Sequence, residues 1–120
     1  MVPLDIDTIF DAAIKIQLNI EKSISVNFSS SSISVKFPTT RRLADYLEIP
    51  HYYVLPYFGM MEQENLVTRA ERVGIMTTPK GTAKLITMMM ENYLEESKKL
   101  LGPVVFQEIV RQVEQIAHST

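Results

Sequence analysis

The order of four short segments constrains this fold most strongly. Two runs with helical apolar spacing are separated by a proline, and two runs of alternating apolar and polar residues follow directly. The first run predicts a helix from Arg41 to Glu48, capped by Thr39 or Thr40 and ended by Ile49 and Pro50. The second run predicts a helix from about His51 to Glu64. This order predicts a helix-turn-helix followed by a β-hairpin.

The hairpin is predicted from two alternating segments, Leu66–Arg69 and Val73–Thr77, with Ala70, Glu71 and Arg72 in the turn. Asn65 precedes it and tolerates the left-handed conformation that ends a helix. Thr78 and Pro79 form a helix start, because proline at the first helical position loses no hydrogen bond.

A further helix and hairpin are predicted before this segment. The helix begins at Asp5 or Asp7, and its apolar face includes one polar residue, Gln17. Residues 24–28 and 33–37 then alternate between apolar and polar side chains around a serine run, which predicts a hairpin. The alternative for the serine run is a flexible linker.

Two apolar helices are predicted after the segment. One runs from Pro79 to the Gly102-Pro103 break, and the other carries apolar residues at three-four spacing from Phe106. Methionines 88–90, with Met60, Met61 and Met76, are predicted to fill core gaps rather than to form a ligand pocket or soft-metal site. A small effector pocket between these helices is a further possibility that no sequence feature supports.

The fold class expected is mainly α with a small antiparallel β-wing, in a single domain over residues 1–120. Residues 1–32 supply the N-terminal helix and strand, residues 33–84 the core, and residues 85–120 the C-terminal helices. The chain has no cysteine, no signal-peptide pattern and no apolar run long enough to span a membrane, so a cytoplasmic location is expected.

The charge is unevenly distributed along the chain. Residues 36–84 carry seven basic and five acidic side chains, whereas the segments on either side each have a net charge of −2. The two histidines, His51 and His118, are far apart, and no metal-ligand spacing or glycine-rich phosphate loop is present. The sequence therefore predicts neither an enzyme nor a cofactor or metal, and a mildly basic middle segment is compatible with nucleic acid.

Residues 39–86 resemble the DNA-binding domain of MarR-type and PadR-type transcriptional regulators, a winged helix-turn-helix. The matching phrases are Leu43-Ala44, Leu47-Glu48-Ile49, the helix from Val54 to Met61, Glu62–Val67 and Thr77–Gly81. The chain departs from the family in having Asn65 where glycine is usual, a short wing without Asp-x-Arg, and Pro56 and Gly59 inside the recognition helix.

The resemblance implies a transcriptional regulator that binds double-stranded DNA and associates with the nucleoid. By position, the residues that contact DNA are Lys36, Arg41, Arg42, His51, Tyr52, Tyr53, Leu55, Arg69, Arg72 and Lys80. None of the residues at the start of the recognition helix belongs to the types that read base edges bidentately. The alternative is a winged-helix adaptor for proteins, with Tyr52, Leu55 and Pro56 as an apolar docking patch.

The last helix predicts the dimer interface. Its apolar stripe consists of Phe106, Ile109, Val110, Val113 and Ile116. We expect the first helix and the methionine-rich helix to be occupied by the core already, so that a second chain covers this stripe in a two-fold homodimer. The alternative is a monomer in which the last helix folds back over the methionine-rich helix.

Overall fold

The computed structural model describes residues 4–28, 32–70 and 74–118, with side chains described as far as Gln115. In chain order the elements are α1 (Ile6–Lys15), a π-turn (Ile16–Glu21), β1 (Val26–Phe28), β2 (Ile33–Phe37), α2 (Thr40–Leu47), α3 (His51–Gln63), β3 (Val67–Ala70), β4 (Gly74–Thr77), α4 (Pro79–Asn92), α5 (Leu94–Leu101) and α6 (Pro103–His118). The described chain is mainly helical with one small antiparallel sheet, as predicted. None of its helices combines the length and apolar character needed to cross a bilayer.

The predicted helix starts are confirmed. The Asp5 carboxylate accepts the backbone N–H of Thr8, and the Thr39 hydroxyl accepts that of Arg42. Thr78 caps α4 in the same way, with Pro79 as the first helical residue. Each cap satisfies an N–H that has no partner inside its helix, which fixes where the helix begins.

The sheet has the strand order β1-β2-β4-β3, and every pair is antiparallel. Both predicted hairpins are present, although their turns at residues 29–31 and 71–73 lie outside the described residues. The pairing of Phe37 in β2 with Ile75 in β4 joins the two hairpins into one sheet. Because α2 follows β2 in the chain, the sheet leads directly into the α2–α3 unit.

A buried hydroxyl network ties the sheet to α4. The Thr77 hydroxyl accepts the Val35 N–H at 2.8 Å and lies 2.7 Å from the hydroxyl of Thr82. Thr82, which is fully buried, donates to the carbonyl of Ile33 at 2.7 Å. Because each of these buried groups has a partner, the hydrogen bonds offset the cost of desolvation, and the network fixes β2, β4 and α4 relative to one another.

The predicted single helix from Pro79 to Leu101 is wrong, because Tyr93 leaves helical geometry and divides it into α4 and α5. The hydroxyl of Tyr93 donates a hydrogen bond to Asp11 in α1, and Asp11 also pairs with Lys15. Burial raises the pKa of Tyr93 to about 12, and the hydrogen bond to Asp11 adds to that shift. A contact with α1 therefore coincides with the break that local spacing did not reveal.

The methionine predictions are partly confirmed. Met61, Met76 and Met89 are buried in the core, and Met88 and Met90 are half-buried against it. Met60 is exposed on α3, so its predicted inward position is wrong. The face of α3 that packs inward consists of Val54, Phe58 and Met61, and Met60 lies outside that stripe.

Candidate nucleic-acid interface

The turn between α2 and α3 brings the first turns of the two helices together. Glu48 ends α2 in a left-handed conformation, with φ of 57°. A hydrogen bond of 2.6 Å then joins the Thr40 hydroxyl to Nε2 of His51, the first residue of α3. The positive ends of two helix dipoles therefore lie side by side, an arrangement that favours anions.

The outer face of α3 is aromatic and apolar near its start. Tyr52 and Tyr53 are 64% and 53% exposed, with ring centroids 4.6 Å apart, and Leu55 is also exposed. The chain has no carboxylate between Glu48 and Glu62, so nothing acidic lies on the first ten residues of this helix. This face presents two phenol groups, which can donate hydrogen bonds, and no negative charge.

Pro56 and Gly59 both lie on exposed positions of α3, and the helix is continuous from His51 to Gln63 through both of them. Proline lacks the N–H that would bond to the carbonyl four residues earlier, so this turn has one fewer backbone bond. Pro56 nevertheless does not end the helix. The exposed surface of α3 therefore extends along all thirteen residues, or about 20 Å.

Three of the predicted basic residues cluster around the start of α2. Arg41 is exposed, and its side chain makes no hydrogen bond or ion pair with the described residues. Arg42 lies 3.6 Å from Glu21 at the end of the π-turn. Lys36 in β2 lines the same cleft as Arg42. Arg41 follows Thr40 directly, so its backbone lies beside the start of α3.

Two other predicted basic residues lie at the opposite end of α3. Nε of Arg69 is 3.2 Å from Glu62, and Nζ of Lys80 donates to the carbonyl of Glu64 at 3.0 Å. Both ion-pairing groups of Arg69 and Glu62 are well exposed, and such pairs contribute little to stability. A phosphate can therefore compete for Arg69. The predicted contact Arg72 lies outside the described residues.

The predicted dimer stripe is wrong for three of its members. Phe106, Ile109 and Val113 are buried within the single chain, because α6 packs on α4, α5 and β2. Val110 is half-buried against the same core, and the side chain of Ile116 lies outside the described ones. The chain itself therefore covers Phe106, Ile109 and Val113, because the last helix folds back over the methionine-rich helix α4.

The sequence interpretation missed one polar position of interest. Gln17 follows the first residue of the π-turn and is 5% exposed, and its side-chain Nε2 donates to the carbonyl of Lys36 at 2.7 Å. The sequence feature that could have identified this position is a glutamine on an otherwise apolar helix face. Among the described residues, no group of three or more histidine or carboxylate side chains is arranged to hold a metal.

The chain matches no protein-family model, and comparison with characterised proteins and with solved structures also finds no match.

Proposed function

We propose that residues 33–84 form a winged helix and that the chain is a DNA-binding transcriptional regulator. The observation that carries the proposal is the exposed, carboxylate-free start of α3 beside the exposed Arg41, which has no partner among the described residues. DNA is a dense polyanion, and the first ten residues of this docking helix place no carboxylate against it. The element order and the phrases from Leu43 to Val67 support the same family interpretation.

In the proposed complex, the start of α3 enters the major groove. Tyr52 and Tyr53 donate hydrogen bonds to phosphate or pack on sugars and thymine methyl groups, and Leu55 adds an apolar contact. Arg41 and Arg42 hold the backbone on one side of the groove, and Lys36 extends that basic surface. Arg69 and Lys80 contact the adjacent strand from the wing side. Recognition in this arrangement depends on phosphate and shape more than on bidentate base contacts.

We expect the protein to bind a mixed-sequence duplex at low salt, with an affinity that falls steeply as salt rises. Arg41→Ala should lower the slope of log affinity against log salt by about 0.9, which is the effect of losing one phosphate contact. Replacing Tyr52 and Tyr53 together by alanine should weaken binding by roughly tenfold or more, equivalent to about 1.4 kcal/mol. Fluorescence anisotropy with a labelled duplex measures both quantities.

The matched control is Lys98→Ala/Lys99→Ala, which removes two exposed positive charges from α5, outside the α2–α3 unit. This variant should leave the salt slope unchanged. If Arg41→Ala and the α5 control behave alike, the DNA interface lies elsewhere. Absence of any binding at low salt would contradict the proposal altogether.

A second candidate, a protein-binding adaptor, is favoured by one specific observation. Tyr52, Leu55 and Met60 form exposed apolar surface on α3, and this helix carries no arginine or lysine. Such surfaces are common at protein interfaces. The adaptor predicts that replacing Leu55 and Met60 weakens binding to a partner protein while duplex DNA has no measurable affinity, so the anisotropy titration separates the two functions.

The homodimer stays a prediction, with its interface moved from the buried stripe to the exposed side chains at the start of α6. Val104 is 81% exposed and Val105 is also exposed. Light scattering at micromolar concentration should give twice the chain mass of 13.7 kDa. Val104→Asp/Val105→Asp should restore the single-chain mass, because two charges in a two-fold interface are each repeated by symmetry. A wild-type mass near 13.7 kDa would contradict the dimer.

A further inference from the structure

A cleft of about 290 Å³ lies between the π-turn and the start of α2. Its lining is mostly polar: the side chains include Gln17, Lys36, Arg42, Thr39, Ser23 and Ser25, against only Phe37 and Pro38 as apolar members. Most pockets for drug-sized molecules are lined mainly by hydrophobic side chains, and this cleft has the reverse balance. The lining therefore suits a small polar molecule.

Gln17 lines this cleft, and its buried side chain carries a hydrogen-bond acceptor without a partner among the described residues. Only 5% of the residue's surface is exposed. Its Nε2 already donates a hydrogen bond to the carbonyl of Lys36 at 2.7 Å. Its Oε1 is buried and has no hydrogen-bond partner among the described residues. Buried side-chain oxygens in folded proteins nearly always accept a hydrogen bond. This oxygen can therefore accept a hydrogen bond from an O–H or N–H donor that reaches it from the cleft.

The π-turn is the local structure that holds Gln17 in position. The carbonyl of Gln17 accepts the N–H groups of both Lys22 and Ser23, the latter at 3.0 Å, so the turn is closed by wide hydrogen-bonded rings. Lys22 then takes a left-handed conformation, with φ of 52°, and directs the chain away towards β1. Turns of this type are rare and occur frequently at functional sites.

The charged groups of the cleft favour an anion. Lys36 and Arg42 are opposed by one carboxylate, Glu21, which lies 3.6 Å from Arg42 in an exposed pair. Lysine and arginine donate charge-assisted hydrogen bonds to carboxylates and phosphates. The hydroxyls of Ser23, Ser25 and Thr39 can each donate and accept, which suits a ligand with several hydroxyl groups.

We propose that this cleft binds a small hydroxylated anion, of the class of sugar acids and sugar phosphates. Lys36 and Arg42 hold the anionic group, and a ligand hydroxyl donates to Oε1 of Gln17. The site stands apart from the proposed DNA-binding function, and its test needs no DNA, so failure of one does not decide the other.

The test is an NMR titration of the full chain, following backbone amide shifts, with gluconate and with glucose 6-phosphate as probes. At least one of them should produce saturable shifts at Gln17, Ser25 and Thr39. Glucose, which lacks the anion, and inorganic phosphate, which lacks the carbon-bound hydroxyls, are the matched controls and should bind roughly tenfold more weakly or not at all. The two probes distinguish a carboxylate from a phosphate as the preferred anion.

Three variants complete the test. Lys36→Gln should weaken binding of the preferred probe by roughly tenfold, while Lys98→Gln on α5 should leave it unchanged. Gln17→Met removes the acceptor at similar side-chain length and should have an effect as large as that of Lys36→Gln. If Gln17→Met does not fold, Lys36→Gln/Arg42→Gln, which alters only exposed side chains, replaces it and should abolish saturable binding.

The proposal is overturned if neither probe gives saturable shifts at millimolar concentration. It is also overturned if Lys36→Gln and Lys98→Gln bind the probe equally well. Inorganic phosphate that binds as tightly as glucose 6-phosphate would reduce the cleft to an unspecific anion site and would contradict the role given to Gln17.

Discussion

Replacing Phe37 by alanine should lower the free energy of unfolding by about 3–5 kcal/mol, the usual cost of removing a fully buried phenyl ring. Phe37 is 2% exposed and lies between two other aromatic side chains. Its ring centroid is 5.1 Å from that of Phe10 in α1 and 5.9 Å from that of Phe58 in α3. The ring therefore joins the first helix, the sheet and the α2–α3 unit, and its loss opens a cavity where three elements meet.

Equilibrium unfolding in urea, followed by circular dichroism, measures the change. The matched control is Phe28→Ala in β1, where the ring is 52% exposed, and the expected loss is at most about 1 kcal/mol. If Phe37→Ala leaves too little stability to measure, Phe37→Leu should lose about 1–2 kcal/mol and keeps the comparison. Equal losses for Phe28→Ala and Phe37→Ala would show that Phe37 is not at the centre of the core.

The parts of the fold that the sequence predicted are those controlled by neighbouring residues. Asp5, Thr39 and Thr78 cap helices through hydrogen bonds that reach only three residues along the chain. Asn65 takes the predicted left-handed conformation, with φ of 61°. Each of these features follows from the chemistry of one side chain and its local backbone, so a single sequence contains the information.

The parts that the sequence did not predict depend on distant residues. The break at Tyr93 coincides with a hydrogen bond to Asp11, which is more than eighty positions away. The burial of Phe106 and Ile109 depends on how α6 packs across α4, α5 and β2. Apolar spacing shows that a stripe must be covered, but it does not show whether the cover comes from the same chain.

The same distinction between local and distant control applies to the candidate sites. The exposed start of α3 was predicted, because the inward stripe of Val54, Phe58 and Met61 leaves Tyr52 and Tyr53 on the outside. The grouping of Lys36 with Arg42 beside Gln17 was not predicted, because the π-turn brings α1 to the end of β2. A wide turn of this kind has no recognised signature in side-chain spacing.

Gly81→Ala should destabilise the protein by about 2–4 kcal/mol, because the helix start at α4 packs directly on the backbone before β3. A Cβ at Gly81 would lie 1.8 Å from the carbonyl oxygen of Leu66. That oxygen also accepts the N–H of Thr78 at 3.0 Å, so it cannot move away without breaking this bond. The N-terminal turn of α4 must therefore shift, and the Thr78 cap would shift with it.

Gly59→Ala is the matched control, since it makes the same chemical change inside a helix of the same chain. A Cβ at Gly59 meets no atom within 4 Å, and the residue lies on the exposed face of α3. Alanine restricts the unfolded chain more than glycine does, so this variant should stabilise the protein by about 0.5–1 kcal/mol. Urea unfolding of both variants should therefore give shifts of opposite sign. A destabilised Gly59→Ala variant would indicate that α3 is not an exposed, regular helix at that position, and an unchanged Gly81→Ala variant would show that α4 does not touch Leu66.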